Sequence, residues 1–186
     1  SLLLAAKNAR VVVNDMSKEA ADAVVAEIKA AGGKATIVEL DMKDTAAIPR
    51  LAAAIEGRWG RLDGLVANAG MLPALTPVAH LQEKDWNESI AVNLSGQWHL
   101  IKAMDPLLRA APAGRAILVS SGAAVGSRPF WGPYAAAKAG LEALGRSWAG
   151  ESEQINLRIN ILNPGGTATT MRALAYPGEN QATLPQ

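Results

Sequence analysis

The chain has 186 residues, 18 Lys and Arg against 17 Asp and Glu, two His and no Cys. A net charge of +1 gives no field to gather nucleic acid or an anionic membrane, and the absence of cysteine excludes a disulfide scaffold, a thiolate metal site and a cysteine nucleophile. An apolar fraction of 49% argues against disorder, and the length suits one domain, residues 1–186, whose core needs no staples.

No apolar run approaches the roughly 18 residues of a membrane span. SLLLAA at the start is too short for a signal peptide and lacks a basic lead-in; a soluble, cytoplasmic protein is expected. RVVVND at 10–15 reads as a buried strand, apolar on both faces. Ser17 starts a helix whose inner stripe takes Ala20 or Ala21, Val24, Ile28 and Ala31, and which stops at Gly32-Gly33. KATIVELD at 34–41 is a second strand. Asp44 or Thr45 caps a helix running through Ile48, Leu51 and Ile55 to Trp59, and LDGLVANAG at 62–70 is a third strand entering a glycine turn. One long helix is expected over 82–109, with Pro106 forcing a kink or an early stop. RAILVSS at 115–121 is a fourth strand. A helix over 133–152 opens on Pro133, LRINILNPG at 157–165 is a fifth strand, and the tail from Arg172 reads as loop.

Strands that alternate with helices imply right-handed crossovers, hence a doubly wound parallel sheet of Rossmann-like α/β type with three αβα layers. Such sheets bind ligands beyond the carboxyl ends of their strands. Polar or glycine-rich residues gather at those ends: Asp15, Asp41, Asn68-Ala69-Gly70, Ser120-Ser121 and Asn163-Pro164-Gly165. Hydrophobic packing does not demand that pattern.

The sharpest chemical signal is Tyr134 with Lys138, four apart and so about 6 Å between Cβ atoms on one helix face. A nearby ammonium favours phenolate and is expected to pull the tyrosine pKa below its usual value of about 10, toward general acid/base use near neutral pH. Ser121, thirteen residues earlier, ends a strand and either faces Tyr134 or caps a turn, Ser120 being the alternative partner. Asn93 sits inside the preceding long helix.

Asn68-Ala69-Gly70 after a strand, Asn93 in a helix, Ser121 at a strand end, Tyr134 with Lys138, and Pro164-Gly165 followed by Thr169 together resemble the short-chain dehydrogenase/reductase family over essentially the whole chain. The resemblance implies an NAD(P)-dependent oxidoreductase that interconverts a secondary alcohol and a ketone. Tyr134 would be the general acid/base, Ser121 would bind the reacting oxygen, Lys138 would hold the nicotinamide ribose, and Asn93 would anchor a relay water. It places Asp15 at the adenosine ribose, Asp41 at the adenine, Asn68, Ala69 and Gly70 along the adenosine side, and Pro164, Gly165 and Thr169 over the nicotinamide amide. An acidic Asp15 repels a 2′-phosphate, so NAD is favoured over NADP. A homodimer or homotetramer through the helices 82–109 and 133–152 is implied as well. The partner is a small alcohol or ketone, with no nucleic acid and no membrane. Leu72, Pro73, Phe130 and Trp131 suggest an apolar substrate body.

The sequence departs from the family in three places. No glycine-rich phosphate loop precedes the strand at 10–15, and Gly122-xxx-Gly126 follows the wrong strand to replace it. The family's central first strand and its last strand have no counterpart, so the strands ending at Asp15 and leading to Asn68 lack a shared neighbour; a natural protein longer at both ends is expected. Residue 168 is alanine where relatives often carry a polar side chain. The missing loop supports one alternative, a non-catalytic nucleotide-binding or scaffolding protein of the same fold; a lyase or epimerase on that fold is a third reading. His80 and His99 match no ligand pattern, and no metal site is expected.

Overall fold

The computed structural model describes residues 1–126 and 128–185. Its elements alternate in the expected order: α1 (Leu2–Ala6), β1 (Arg10–Asp15), α2 (Lys18–Ala30), β2 (Lys34–Glu39), α3 (Ala47–Trp59), β3 (Gly64–Ala67), α4 (Glu83–Ile90), α5 (Gly96–Arg109), β4 (Arg115–Val119), α6 (Gly132–Glu151), β5 (Arg158–Leu162) and α7 (Thr170–Ala175). All strand pairs are parallel. β1 lies beside β2 with Val12 opposite Thr36, and β4 lies between β3 and β5 with Ile117 opposite Val66 and Asn160.

Local chemistry accounts for the helix ends. The Ser17 hydroxyl accepts from the N–H of Ala20 and starts α2. Asp44 accepts from the N–H groups of Ala46 and Ala47 and starts α3, which ends on Gly60 at φ +70°. Pro106 lies inside α5, which stops three residues later. The stripe of α2 settles on Ala21, Val25 and Ile28.

α1 and α2 pack on each other and on β1 and β2, while α3, α5 and α6 form the second helical layer. The main core lies under that layer, where Met104 and Leu108 of α5, Ala116 and Leu118 of β4 and Leu141 of α6 are buried. Each such aliphatic side chain contributes on the order of 1.5–3 kcal/mol. Trp148 of α6 donates its indole N–H to Asp105 of α5 at 2.7 Å, and Arg109 pairs with the same carboxylate.

Three expectations need correction. The long helix over 82–109 is interrupted by a π-helical turn at Ala91–Ser95, between α4 and α5. The tail is not loop throughout: Thr169 caps α7 by accepting from Arg172 N–H, and a 3-10 turn covers Gln181–Thr183. β1 is half-buried rather than buried on both faces. The reason is its sheet: among the described residues no strand pairs with the second edge of β1 or of β3, so Val11–Val13 are covered only in part and Val66 is 52% exposed. No described helix is long and apolar enough to cross a membrane.

Candidate active site

The carboxyl end of β4 and the first half of α6 meet at three successive residues, the last of β4 and the two that follow it. The Val119 carbonyl accepts from the Lys138 ammonium at 2.8 Å. The Ser120 hydroxyl donates to Glu142 at 2.7 Å. The Ser121 hydroxyl acts on Tyr134, where it opposes the rise in that phenol's pKa. Tyr134, Lys138 and Glu142 stand four residues apart, so one helix face meets one strand end rung by rung. Ser120, the first residue after β4, is buried against Glu142. Ser121 also accepts from the N–H of Ala123, capping a short turn. Glu142 itself is held by Arg146 at 3.3 Å.

Burial governs the electrostatics. Tyr134 and Lys138 are both buried. Removal from water pushes the Tyr134 phenol above its usual value, with the Ser121 contact pulling the other way; it pulls the Lys138 ammonium down to about 8. The expected depression of the tyrosine by its lysine is therefore reversed in this structure. The ammonium lies 5.7 Å from the centre of the Tyr134 ring and donates to Val119.

Behind this pair, α4, the π turn and α5 supply a second polar column. Ser89, Asn93 and Gln97, again four apart, are fully buried. Asn93 accepts from Met71 N–H at 3.0 Å and donates to the Met71 carbonyl at 2.9 Å and to Ser89 at 3.1 Å. Gln97 donates to the Ala69 carbonyl at 2.7 Å. Its side-chain oxygen is buried without a partner among the described residues. Asn93 thus uses its amide to fix the turn that follows β3. Gly70 is required there: a Cβ on it would stand 2.9 Å from Asn93 Oδ1 and 3.6 Å from Lys138 Nζ. Asn68 and Ala69 are exposed at the mouth.

The remaining expected residues border the same strand edge. Asp15 ends β1 exposed, and one carboxylate oxygen accepts from Ser17 N–H at 2.9 Å. Asp41 follows β2, accepts from Lys43 N–H at 2.8 Å and is half-buried. Pro164 is exposed, Gly165 turns the chain at φ +73° and donates to Asn163, and Thr169 is occupied as the cap of α7. Trp131 packs edge-on against Tyr134 at 5.7 Å. Phe130, exposed and at φ +74°, offers its carbonyl to Thr76 N–H. A cleft of about 440 Å³ lined by Leu72, Pro73, Leu75, Met171 and Leu174 opens beside the loop after β3. A cleft of similar size, lined by Arg10, Lys29, Lys34 and Arg58, lies at the amino ends of β1 and β2, away from this chemistry.

Ser89, Gln97 and Glu142 were not singled out in the sequence. Their signal was available as polar residues at four-residue steps from Asn93 and Lys138 on otherwise apolar helix faces.

The family model for short chain dehydrogenases matches residues 1–180. The chain belongs to the short chain dehydrogenase family. Within it, the chain is 38% identical over 135 residues to the uncharacterized oxidoreductase YciK of Escherichia coli K12, covering 73% of this chain and 53% of YciK. It is 33% identical over 171 residues to the 3-oxoacyl-[acyl-carrier-protein] reductase FabG of Thermotoga maritima, covering 92% of this chain and 69% of that relative. A metagenomic short-chain oxidoreductase crystallised with NADP superposes with a TM-score of 0.83 at 31% identity, over 98% of this chain and 85% of the other. The chain thus spans about half the length of YciK and about two thirds of FabG.

Proposed function

We propose that the chain carries the reacting centre of an NAD(P)-dependent oxidoreductase that interconverts a secondary alcohol and a ketone. The observation that carries this reading is the convergence of the Tyr134 phenol, the Ser121 hydroxyl and the buried Lys138 ammonium at the carboxyl end of β4. A phenol is protonated at neutral pH, and burial raises its pKa further, so Tyr134 is an acid positioned to give its proton to a carbonyl oxygen. Ser121 donates a hydrogen bond to the same oxygen as charge develops on it.

The donor set fits a nicotinamide dinucleotide. An ammonium has three N–H donors, and Lys138 uses one on Val119, which leaves two for a ribose diol. Asp15 has one oxygen beyond that held by Ser17, an acceptor for the adenosine ribose at the end of β1. Asn68, Ala69 and Gly70 line the path between these points. When bound, the dinucleotide supplies the hydride. Lys138, still largely protonated at pH 7, steadies the phenolate that proton transfer leaves on Tyr134.

Two observations bear on the choice of dinucleotide. The metagenomic neighbour binds NADP. Here an acidic Asp15 stands at the ribose end, and Lys18, the first cation after it, is paired with Asp22 at 2.7 Å. The Asp15 carboxylate supports NAD; the neighbour supports NADP. The outer helices α4, α5 and α6, with Trp86 and Trp98 exposed, support self-association in the manner expected from the sequence.

The test is absorbance at the reduced-nicotinamide band with NADH and NADPH against a panel of ketones. Turnover that Tyr134→Phe lowers by about 100-fold or more supports the assignment, general acid catalysis being worth about 10²–10⁴. Full turnover in that variant refutes it.

A further inference from the structure

Arg128 lies six residues before Tyr134, in the loop between Ser121 and α6, and its cation has no carboxylate partner among the described residues. Its guanidinium is held all the same. One terminal nitrogen, Nη1, donates to the Tyr176 hydroxyl at 2.6 Å. The guanidinium stands 5.6 Å from the centre of the Trp131 ring, which in turn packs on Tyr134. Tyr176 is itself fixed, its ring covered at 3.9 Å by Arg172, and Arg172 is locked by two 2.6 Å hydrogen bonds to Glu179. The second terminal nitrogen, Nη2, has no acceptor among the described residues and lies beside Gly122, the residue after Ser121. A methyl group on Gly122 would lie 3.4 Å from Arg128 Nη2 and 3.6 Å from Asn163 Nδ2. The Asn163 oxygen accepts from Gly165 N–H, so its NH2 group is the part turned to that spot, and it too has no acceptor among the described residues.

Two N–H donors without an acceptor among the described residues, one of them cationic, therefore flank the backbone of Gly122, next to Ser121. We propose that Arg128 and Asn163 form an oxyanion subsite of the substrate pocket, and that the substrates are hydroxy and oxo acids whose carboxylate sits over Gly122. The inference rests on reading Ser121, Tyr134 and Lys138 as the reacting centre. A preorganised guanidinium suits a carboxylate, because its fork need not be ordered on binding. The apolar cleft along Leu72 and Leu174 would then take the rest of an acyl chain.

The experiment compares 2-oxo, 3-oxo and 4-oxo acids with their methyl esters, using the reduced dinucleotide that the chain accepts. For at least one chain length the acid is expected to exceed its ester in kcat/KM by about 10- to 100-fold, the worth of a charge-assisted hydrogen bond, mainly through KM. Arg128→Leu is expected to collapse that ratio. Asn163→Asp, which keeps the oxygen for Gly165 but replaces a donor with an anion, is expected to lower the ratio too. No acid preference at any chain length overturns the inference. A preference that survives Arg128→Leu, or an equal loss on acid and ester in both variants, overturns it as well. If no ketone of either kind turns over, the reading of the reacting centre fails instead. The subsite is then judged by titrating butyrate against tryptophan fluorescence. Saturable binding weakened at least tenfold in Arg128→Leu and partly kept in Arg128→Lys supports the subsite; its absence, or binding unchanged in Arg128→Leu, overturns it.

Discussion

Replacing Lys138 with methionine removes a cation that the fold buries at a cost, and the pH dependence of that cost can be worked from the structure. The Lys138 pKa falls from 10.5 to about 8 on folding because of burial. Between those values the unfolded chain holds a proton that the folded chain has lost, so stability rises with pH. Below pH 8 both states are charged and the folded state bears the whole penalty. The gap, at about 1.4 kcal/mol per pH unit, amounts to about 3 kcal/mol near pH 7. Methionine keeps the stem and drops the charge, but leaves the Val119 carbonyl without its donor, which costs about 1–3 kcal/mol at every pH. The absolute stability change at pH 7 is thus a small difference of opposed effects. Its pH dependence is not: the stability of the native chain relative to Lys138→Met should rise by about 2.5 kcal/mol between pH 7 and pH 10. Urea unfolding of both proteins at half-unit pH steps measures this. The scan stops at pH 10, since the raised Tyr134 pKa contributes with the opposite sign beyond it. A pH-independent difference between the two proteins, or one that moves against native lysine as pH rises, would show that Lys138 is not desolvated in the way described.

Other changes probe the same ladder. Glu142→Leu strands the buried Ser120 hydroxyl and should lower stability by about 1–3 kcal/mol, with kcat falling while Glu142→Gln, which keeps an acceptor, stays near native; urea unfolding and steady-state kinetics report both. Gly70→Ala drives a Cβ to within 2.9 Å of Asn93 Oδ1, so it should weaken dinucleotide binding, read by fluorescence titration, more than Gly57→Ala, whose added carbon meets nothing within 4 Å. Ketone reduction should decline as pH rises through about 8, where Lys138 loses the charge that steadies the phenolate, and the descending limb should disappear in Lys138→Met; a pH–rate profile checks it.

The strands, the crossover helices and the positions of Ser121, Tyr134 and Lys138 were legible because each rests on short-range periodicity: two residues per strand repeat, about 3.6 per helical turn. What stayed hidden depends on other segments. Nothing near Asn93 says that its amide is taken up by Met71, twenty-two residues earlier. The π turn at Ala91–Ser95 gives no periodic signal, because it changes the phase of the helix without changing its composition. α7 escaped because six residues are too few for an amphipathic pattern, and its cap Thr169 already had a role in the family comparison. The sign of the tyrosine shift could not be read from the i, i+4 pair. That spacing places the ammonium near the ring but says nothing of how far burial desolvates the phenol, which is what raises its pKa.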